Sequence, residues 1–343
     1  MLSPTQTCKT LYGRLKPEWI MAGISCFVSG LFIHMPILLS DIPNHDGLDS
    51  MYFDQNMITS GRWFLTIACG FSSYYTLPWV IGILGLAFLS VAAAALCELL
   101  EVKKGWAAAV CGGMLSSFPA LAATFAYVFT LDGYMLALLL SVLAVLFTKK
   151  RRLGFLPGAA CLAFSLGIYQ AYLSFAMILS VFAIFMLAVE GAGSPGFHYG
   201  RFFRNAAHYL YMGALGTVLY YGMLRLLLMI QGKELASYQG IDGMAAGVGG
   251  GIFSSLRGMY SDFLAFTFKG NVLFQNPFGL AACIVLGATA AAAAVFLLRK
   301  RGCFRRPLLL AVLAALAAAL PLATNIILLI SPAVTYHLLM RYQ

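Results

Sequence analysis

From residue 153 to residue 189 the chain runs 37 residues without a charge. As one helix this stretch would be about 55 Å long at 1.5 Å per residue. That is nearly twice the roughly 30 Å hydrocarbon core of a bilayer. It therefore predicts two membrane spans, the first of them short, with a break near Gly167-Ile168-Tyr169-Gln170. Other apolar runs cover about 20–39, 76–96, 106–125, 131–147, 207–230, 278–298 and 308–330. They are continuous and not alternating, which selects helices over barrel strands. Only 10% of the residues are charged, against roughly 25% in soluble domains. In lipid every backbone amide needs an internal partner, so the spans are helical or closed into a barrel. The expected architecture is all-α: a polytopic transmembrane helical bundle of about nine spans, one domain over 1–343.

The charges set an orientation. With the N-terminus in the cytoplasm and the spans alternating, the inside segments hold 16 of the 22 lysines and arginines. They include Lys16, Lys103, Lys104, the 149–152 run, Arg201, Arg204 and the 299–306 run. Every cytoplasmic segment then obeys the positive-inside rule. A single span over 153–189 would put Arg201 and Arg204 outside. The net charge of +10 is thus read as anchoring to the inner leaflet, with no nucleic-acid partner. The seven aspartates, Asp41, Asp46, Asp49, Asp54, Asp132, Asp242 and Asp262, all fall outside or at the outer boundary. That places the polar chemistry on the outer face. No cleavable signal is evident, because the first apolar run lacks a small-x-small cleavage site. The eight cysteines form no CxxC pair and read as small hydrophobes of the spans. No internal repeat stands out, which weighs against a transporter built from two related halves.

The richest segment is the first exterior loop, 41–75. Four carboxylates (Asp41, Asp46, Asp49, Asp54) and Arg62 lie within 22 residues of each other. Asp46 and Asp49, and His45 and Asp49, have helical spacing, and a helix over about 48–60 is expected. A bland reading stands beside this one: Asp46 as the N-cap of a weak capping box, Asp41 and Asp54 as solvated charges. Arg62 either grips phosphate with its two-pronged fork or snorkels beside Trp63 at the interface. Asp132 opens the fourth span, where the helix dipole favours an acid. Arg225 sits in an apolar run, a costly place that marks a functional residue unless the side chain snorkels. A second long exterior segment, 231–277, carries an apolar stripe at Ile252, Phe253, Leu256, Met259, Tyr260 and Phe263. The stripe predicts a helix lying in the interface plane. The glycines of 247–251 are read as a hinge and not a P-loop, since no Gly-Lys-Ser/Thr follows.

The order Pro43-Asn44-His45-Asp46-Gly47, Asn56, then Ser60-Gly61-Arg62-Trp63-Phe64-Leu65 resembles the bacterial glucosyltransferase II family, within the GT-C class of membrane glycosyltransferases. Further likeness lies in Ser165-Leu166-Gly167-Ile168-Tyr169-Gln170-Ala171, and in Ser331-Pro332 with His337-Leu338-Leu339-Met340-Arg341. The resemblance implies a GT-C-like bundle in the bacterial plasma membrane. It implies a polyprenyl-phosphate-linked sugar donor, usually glucose, and a surface glycan of the envelope as acceptor, with inversion at the sugar carbon. The class places a catalytic acid after the first span, which maps to Asp46, with Asp49 and Asp132 as further catalytic candidates. Arg62, Arg225, Arg341, His45 and Asn44 become candidates for binding the donor phosphate. No cofactor is implied, and no ligand set for a divalent ion is visible. Two departures stand out: Gly47 follows Asp46 where many members carry a second acid, and the chain stops after Arg341 where family chains continue, as a truncated form would. The competing readings are a lipid-linked sugar flippase, a non-catalytic envelope assembly protein, and a GT-C enzyme for another sugar.

Overall fold

The computed structural model describes residues 3, 13, 15–40, 57–69, 77–194, 196–236, 252–269, 276–330 and 336–342. Their regular structure is helical throughout: α1 (Pro17–Leu39), α2 (Leu65–Ala68), α3 (Pro78–Leu99), α4 (Gly105–Ser117), α5 (Pro119–Phe125), α6 (Leu131–Lys150), α7 (Phe155–Ile168), α8 (Tyr172–Ala192), α9 (Tyr199–Gln231), α10 (Ile252–Leu264), α11 (Pro277–Lys300), α12 (Pro307–Thr324) and α13 (Ile327–Ile330). Five of these helices (α1, α3, α5, α11 and α12) open on a proline at the first turn. There the missing N–H costs nothing and the fixed φ suits the helix. α9 ends at Gly232, whose φ of 60° is a left-handed cap.

Among the described residues, seven helices are long and apolar enough to cross a membrane: α1, α3, α6, α8, α9, α11 and α12. The third expected span is broken into α4 and α5, which meet at 53° and make an eighth if counted together. α7 has 14 residues, so its length is about 21 Å. The 37-residue run is therefore split where the sequence predicts, at 169–171, with the first half short. The expected helix over 48–60 is not continued at its end, because Met57–Ser60 is a turn; residues 41–56 lie outside the described set.

α6 is the most buried span and the centre of the bundle. α1 packs on α3 and α4, α3 on α6, α6 on α7, α7 on α9, and α8 on α12. Small residues set the closest approaches, as lipid-embedded helices require. A Cβ on Gly112 of α4, for example, would overlap the Ala22 carbonyl of α1. α11 has no buried residue. α10 is docked and not free: Met259 is fully buried, Asn325 donates to its carbonyl at 2.8 Å, and Tyr260 donates to the Ala318 carbonyl of α12 at 2.5 Å.

Breaks in the spans free carbonyls, and four of these find donors from elsewhere in the fold. Pro119 has no N–H to give Leu115, and the hydroxyl of Tyr342 donates to that carbonyl instead. Ser116, one residue on, bonds His34 Nε2 at 3.1 Å, so that nitrogen carries the proton. His34 is held flat against Phe125 with ring centroids 3.8 Å apart. At the second break the Gly167 carbonyl accepts from Phe64 N–H at 2.8 Å. At the third, past Pro321, the Thr324 carbonyl accepts from the Tyr336 hydroxyl at 3.2 Å. Two of the four caps thus come from the last described segment, 336–342.

The basic residues gather at one end of the bundle around a carboxylate that the sequence analysis passes over. Glu98, at the foot of α3, accepts from Lys16 Nζ at 2.6 Å, Trp19 Nε1 at 3.0 Å and Lys150 Nζ. Lys149 bonds the Leu99 carbonyl and the Glu101 carboxylate, both at 2.8 Å. This joins the start of α1, the foot of α3 and the end of α6, the three segments expected to share a side.

Substituting Tyr342→Phe strips the hydroxyl from the Leu115 carbonyl. A buried acceptor left unmet costs about 1–3 kcal/mol. The variant in detergent or nanodiscs is expected to melt several degrees below wild type. An unchanged melting curve would show that the α4–α5 break does not depend on this cap.

Candidate functional site

At the end opposite Glu98, the loop 57–64 is built around a glycine. Gly61 has φ +80°, which is easy for glycine and strained for any residue with a Cβ. The turn closes with Gly61 N–H donating to Ile58 at 3.0 Å and Arg62 N–H to Met57 at 2.6 Å. Side chains from two other helical segments then latch it. The Gln170 amide, in the break between α7 and α8, donates to the Ser60 carbonyl at 3.1 Å and to the Tyr220 hydroxyl at 3.0 Å. The Tyr220 hydroxyl of α9 in turn donates to the Gly61 carbonyl at 3.1 Å. Trp63 lies against Gly167, where any Cβ would come within 2.7 Å of the indole, and tilts onto Phe164 at 5.7 Å.

The latch aims Arg62. Its guanidinium carbon stands 5.1 Å from the ring centre of Tyr169, within cation–π range. Tyr169 stacks on Tyr134 at 4.7 Å and meets Tyr172 edge-on at 6.1 Å. Tyr134 stands two residues after Asp132 on α6. Asp132 is buried, and its Oδ1 accepts the Gly133 N–H at 2.9 Å, in the first turn where the helix dipole favours a negative charge. Gly133 in turn packs on Leu65 and Ala68 of α2, three and six residues past Arg62. Arg62 and Asp132 therefore belong to one neighbourhood around one tyrosine stack. The arrangement holds an always-charged guanidinium on an aromatic stack whose Tyr134 shares the first turn of α6 with the buried Asp132.

The other sequence candidates are placed differently. Arg225 is exposed, and its guanidinium bonds the Tyr221 hydroxyl one turn back on α9. The bundle-facing stripe of α9 is Tyr220, Leu224 and Leu228, so Arg225 sits beside that stripe and not in it. Arg341 is buried and spends its fork on Asp262 of α10, with Nη1–Oδ2 at 2.6 Å and Nη2–Oδ1 at 2.8 Å. Its guanidinium carbon also stands 4.0 Å from the ring centre of Tyr336. It ties α10 to the 336–342 segment. Asp46, Asp49, His45 and Asn44 lie outside the described residues. Sequence reasoning located Arg62 and the break at 167–170, but assigned nothing to Tyr134, Tyr169, Tyr172, Gln170 or Tyr220. The one available signal was a tyrosine–glutamine pair interrupting an apolar run.

Residues 35–342 match the family described as glucosyl transferase GtrII. The chain belongs to that family. The match takes in the Arg62 loop, the tyrosine stack and the Arg341–Asp262 pair. Comparison with curated proteins and with solved structures gave no match. Membership marks this multi-pass bundle as a glucosyltransferase-family protein, and it agrees with the likeness carried by the 43–65 and 165–171 residues.

Gly61→Ala places a Cβ at positive φ and within 2.7 Å of the Tyr220 hydroxyl. The strain is on the order of 1–3 kcal/mol, concentrated in the latch. Trypsin is expected to cut after Arg62 in this variant and to spare the wild-type loop in detergent. Equal resistance in both would show that the latch does not order the loop.

Proposed function

We propose that the protein transfers a glucosyl group from a polyprenyl-phosphate donor to a cell-envelope glycan, with inversion at the sugar carbon, in a GT-C-like active site. In this reading the basic end faces the cytoplasm and the Arg62 end faces outward, in the plasma membrane of a bacterium. The observation that carries the proposal is the fixing of Arg62 over Tyr169 by Gln170 and Tyr220. A guanidinium held this firmly is prepared for a phosphate in advance, with little reorganisation left for the reaction itself.

Depth supports a lipid-borne donor. α7 starts just past the basic run 149–152, and its roughly 21 Å falls about 9 Å short of the hydrocarbon core. Tyr169, Gln170 and the Arg62 loop bonded to them are then recessed below the outer headgroups. A phosphate on a membrane-embedded prenyl chain reaches that level from the side.

The chemistry follows. An acceptor hydroxyl attacks the anomeric carbon while the bond from that carbon to the phosphate oxygen breaks. The hydroxyl proton passes to a carboxylate, assigned to Asp46. The electron pair leaves with the polyprenyl phosphate, and Arg62 offsets the charge that grows there. Asp49 assists from the same loop, Asn44 and His45 contact the donor, and Asp132 is the second carboxylate of the site. Arg225 and Arg341 are left out of donor binding in this reading, because each already serves another contact.

The test is incubation of the purified protein with radiolabelled polyprenyl-phosphate-glucose and candidate envelope glycans. Arg62→Gln is expected to lower kcat by about 10²–10³-fold, and Asp46→Asn by about 10²–10⁴-fold, each with a wild-type melting temperature. Full transfer by Asp46→Asn would remove the base assignment, and full transfer by Arg62→Gln would remove the phosphate assignment.

A further inference from the structure

The two basic clusters at the Glu98 end are built differently. The cluster of Lys16, Lys149 and Lys150 is answered by Glu98 and Glu101. The cluster of Arg201, Arg204 and the 299–306 run is not: among the described residues none of its members forms an ion pair with an acid. Its nearest acid in sequence is Glu190, which is exposed and contributes only a backbone carbonyl, to the Ser194 hydroxyl at 3.3 Å.

Between the end of α8 and the start of α9, beside this unanswered cluster, lies a cavity of about 140 Å³. One wall is apolar: Leu187, Phe197 and Phe202. The other is polar: Ser194, His198, Arg201 and Asn205. Phe202 is buried in a small satellite core with Ala188, Cys303 and Leu309, so the cavity floor is packed. Gly191 belongs to the wall because a Cβ there would come within 2.7 Å of the Phe197 ring. Arg306 stands over the Phe197 ring, its guanidinium carbon 4.6 Å from the ring centre. Arg301 reaches the same loop and would lie 3.1 Å from a Cβ on Gly193.

The start of α9 adds to the positive field. It has no side-chain cap and no acid in its first turn, and it places Arg201 where the helix dipole already favours an anion. A cation cluster here, with an apolar wall at its side, is complementary to a group that is anionic at one end and apolar at the other. The cavity sits at the boundary of the spans α8 and α9, where lipid headgroups lie.

We propose that this cavity binds the phosphate of an anionic phospholipid from the leaflet at the basic end. The phosphate sits against Arg201, His198 and the α9 amide end, with Arg306 closing over it, and the glycerol and first acyl carbons lie on Leu187 and Phe202. The lipid supplies the counter-charge that Glu98 supplies to the neighbouring cluster.

The test is titration of phosphatidylglycerol into the protein in phosphatidylcholine nanodiscs, with retained lipid counted by native mass spectrometry. Wild type is expected to keep one phosphatidylglycerol in preference to phosphatidylcholine. The double variant Arg201→Gln/Arg306→Gln is expected to bind it about 25-fold more weakly, at roughly fivefold per arginine near the surface. Ser194→Glu, which puts a carboxylate in the cavity while keeping all arginines, is expected to lose the retained lipid with an unchanged melting temperature in phosphatidylcholine. Lys103→Gln/Lys104→Gln, which removes as much charge from the same end but outside the cavity, is expected to keep it. Equal loss in the Lys103/Lys104 variant would reduce the effect to diffuse membrane charge and overturn the site. Retention by both cavity variants would overturn it as well. Displacement of the lipid by excess inorganic phosphate would overturn the lipid as occupant and assign the cavity to a free anion.

Discussion

The structure depends on one constraint: a carbonyl freed inside an apolar layer must find another donor in the protein. The fold interrupts its spans at three places, and each interruption is also where distant segments are joined. Pro119 releases Leu115 and Ser116, and this brings in Tyr342 and His34. The 169–171 break releases Gly167, and this brings in Phe64 and with it the Arg62 loop. The break past Pro321 releases Thr324 and brings in Tyr336. In water such groups could turn to solvent and the loops could drift. In lipid the freed carbonyls turn to side chains and to one backbone N–H from distant segments, so irregular backbone becomes positioned backbone. The candidate site stands at such a break because only there can a loop be held by hydrogen bonds at membrane depth.

The spans were legible because hydropathy is a property of the local sequence. The 37-residue run had to divide, and the short α7 and longer α8 sit where its length and its Gly-Ile-Tyr-Gln interruption place them. The bend between α4 and α5 was not read, although Pro119 marks it, because an apolar window averages across a proline. The partners of each break were not legible at all. Tyr342 and Leu115 are 227 residues apart, and Gln170 and Ser60 are 110 apart. Such pairs carry no local periodicity. The same holds for Arg341: a basic residue near the end of the chain looks like a phosphate ligand until Asp262 is seen holding it. Arg62 stood out as a candidate because a glycine–arginine–tryptophan sequence beside an apolar run is unusual by itself, whereas the tyrosines packed with it look like ordinary aromatic residues of a span.

Charge is distributed by the same economy. At the basic end, Lys16, Lys149 and Lys150 are answered by Glu98 and Glu101, while Arg201 lines a cavity with Arg301 and Arg306 near its loop. At the opposite end three guanidiniums lie against aromatic rings: Arg62 on Tyr169, Arg225 on Tyr221, Arg341 on Tyr336 and Phe266. A ring face attracts a cation without neutralising it. The fork of Arg341 also ties α10 through Asp262, while hydrogen bonds from Gln170 and Tyr220 hold the backbone beside Arg62 and a ring lies under its guanidinium.

The short α7 connects these threads. It is the one helix that runs from the basic boundary to the Arg62 loop within 14 residues, and it is packed between α6 and α9. Lengthening it by one turn would raise Tyr169 and Gln170 by about 5.4 Å. The Gly167 carbonyl would then miss Phe64, Gln170 would miss Ser60, and the tyrosine stack with Tyr134 on α6 would lose register. The depth of the site is therefore a consequence of helix length, set by the distance between Arg152 and the Gly167–Gln170 interruption. Under the proposed function, a guanidinium meeting a phosphate anchored in the bilayer needs that depth more than it needs a large cavity, and a helix too short to cross the bilayer supplies it.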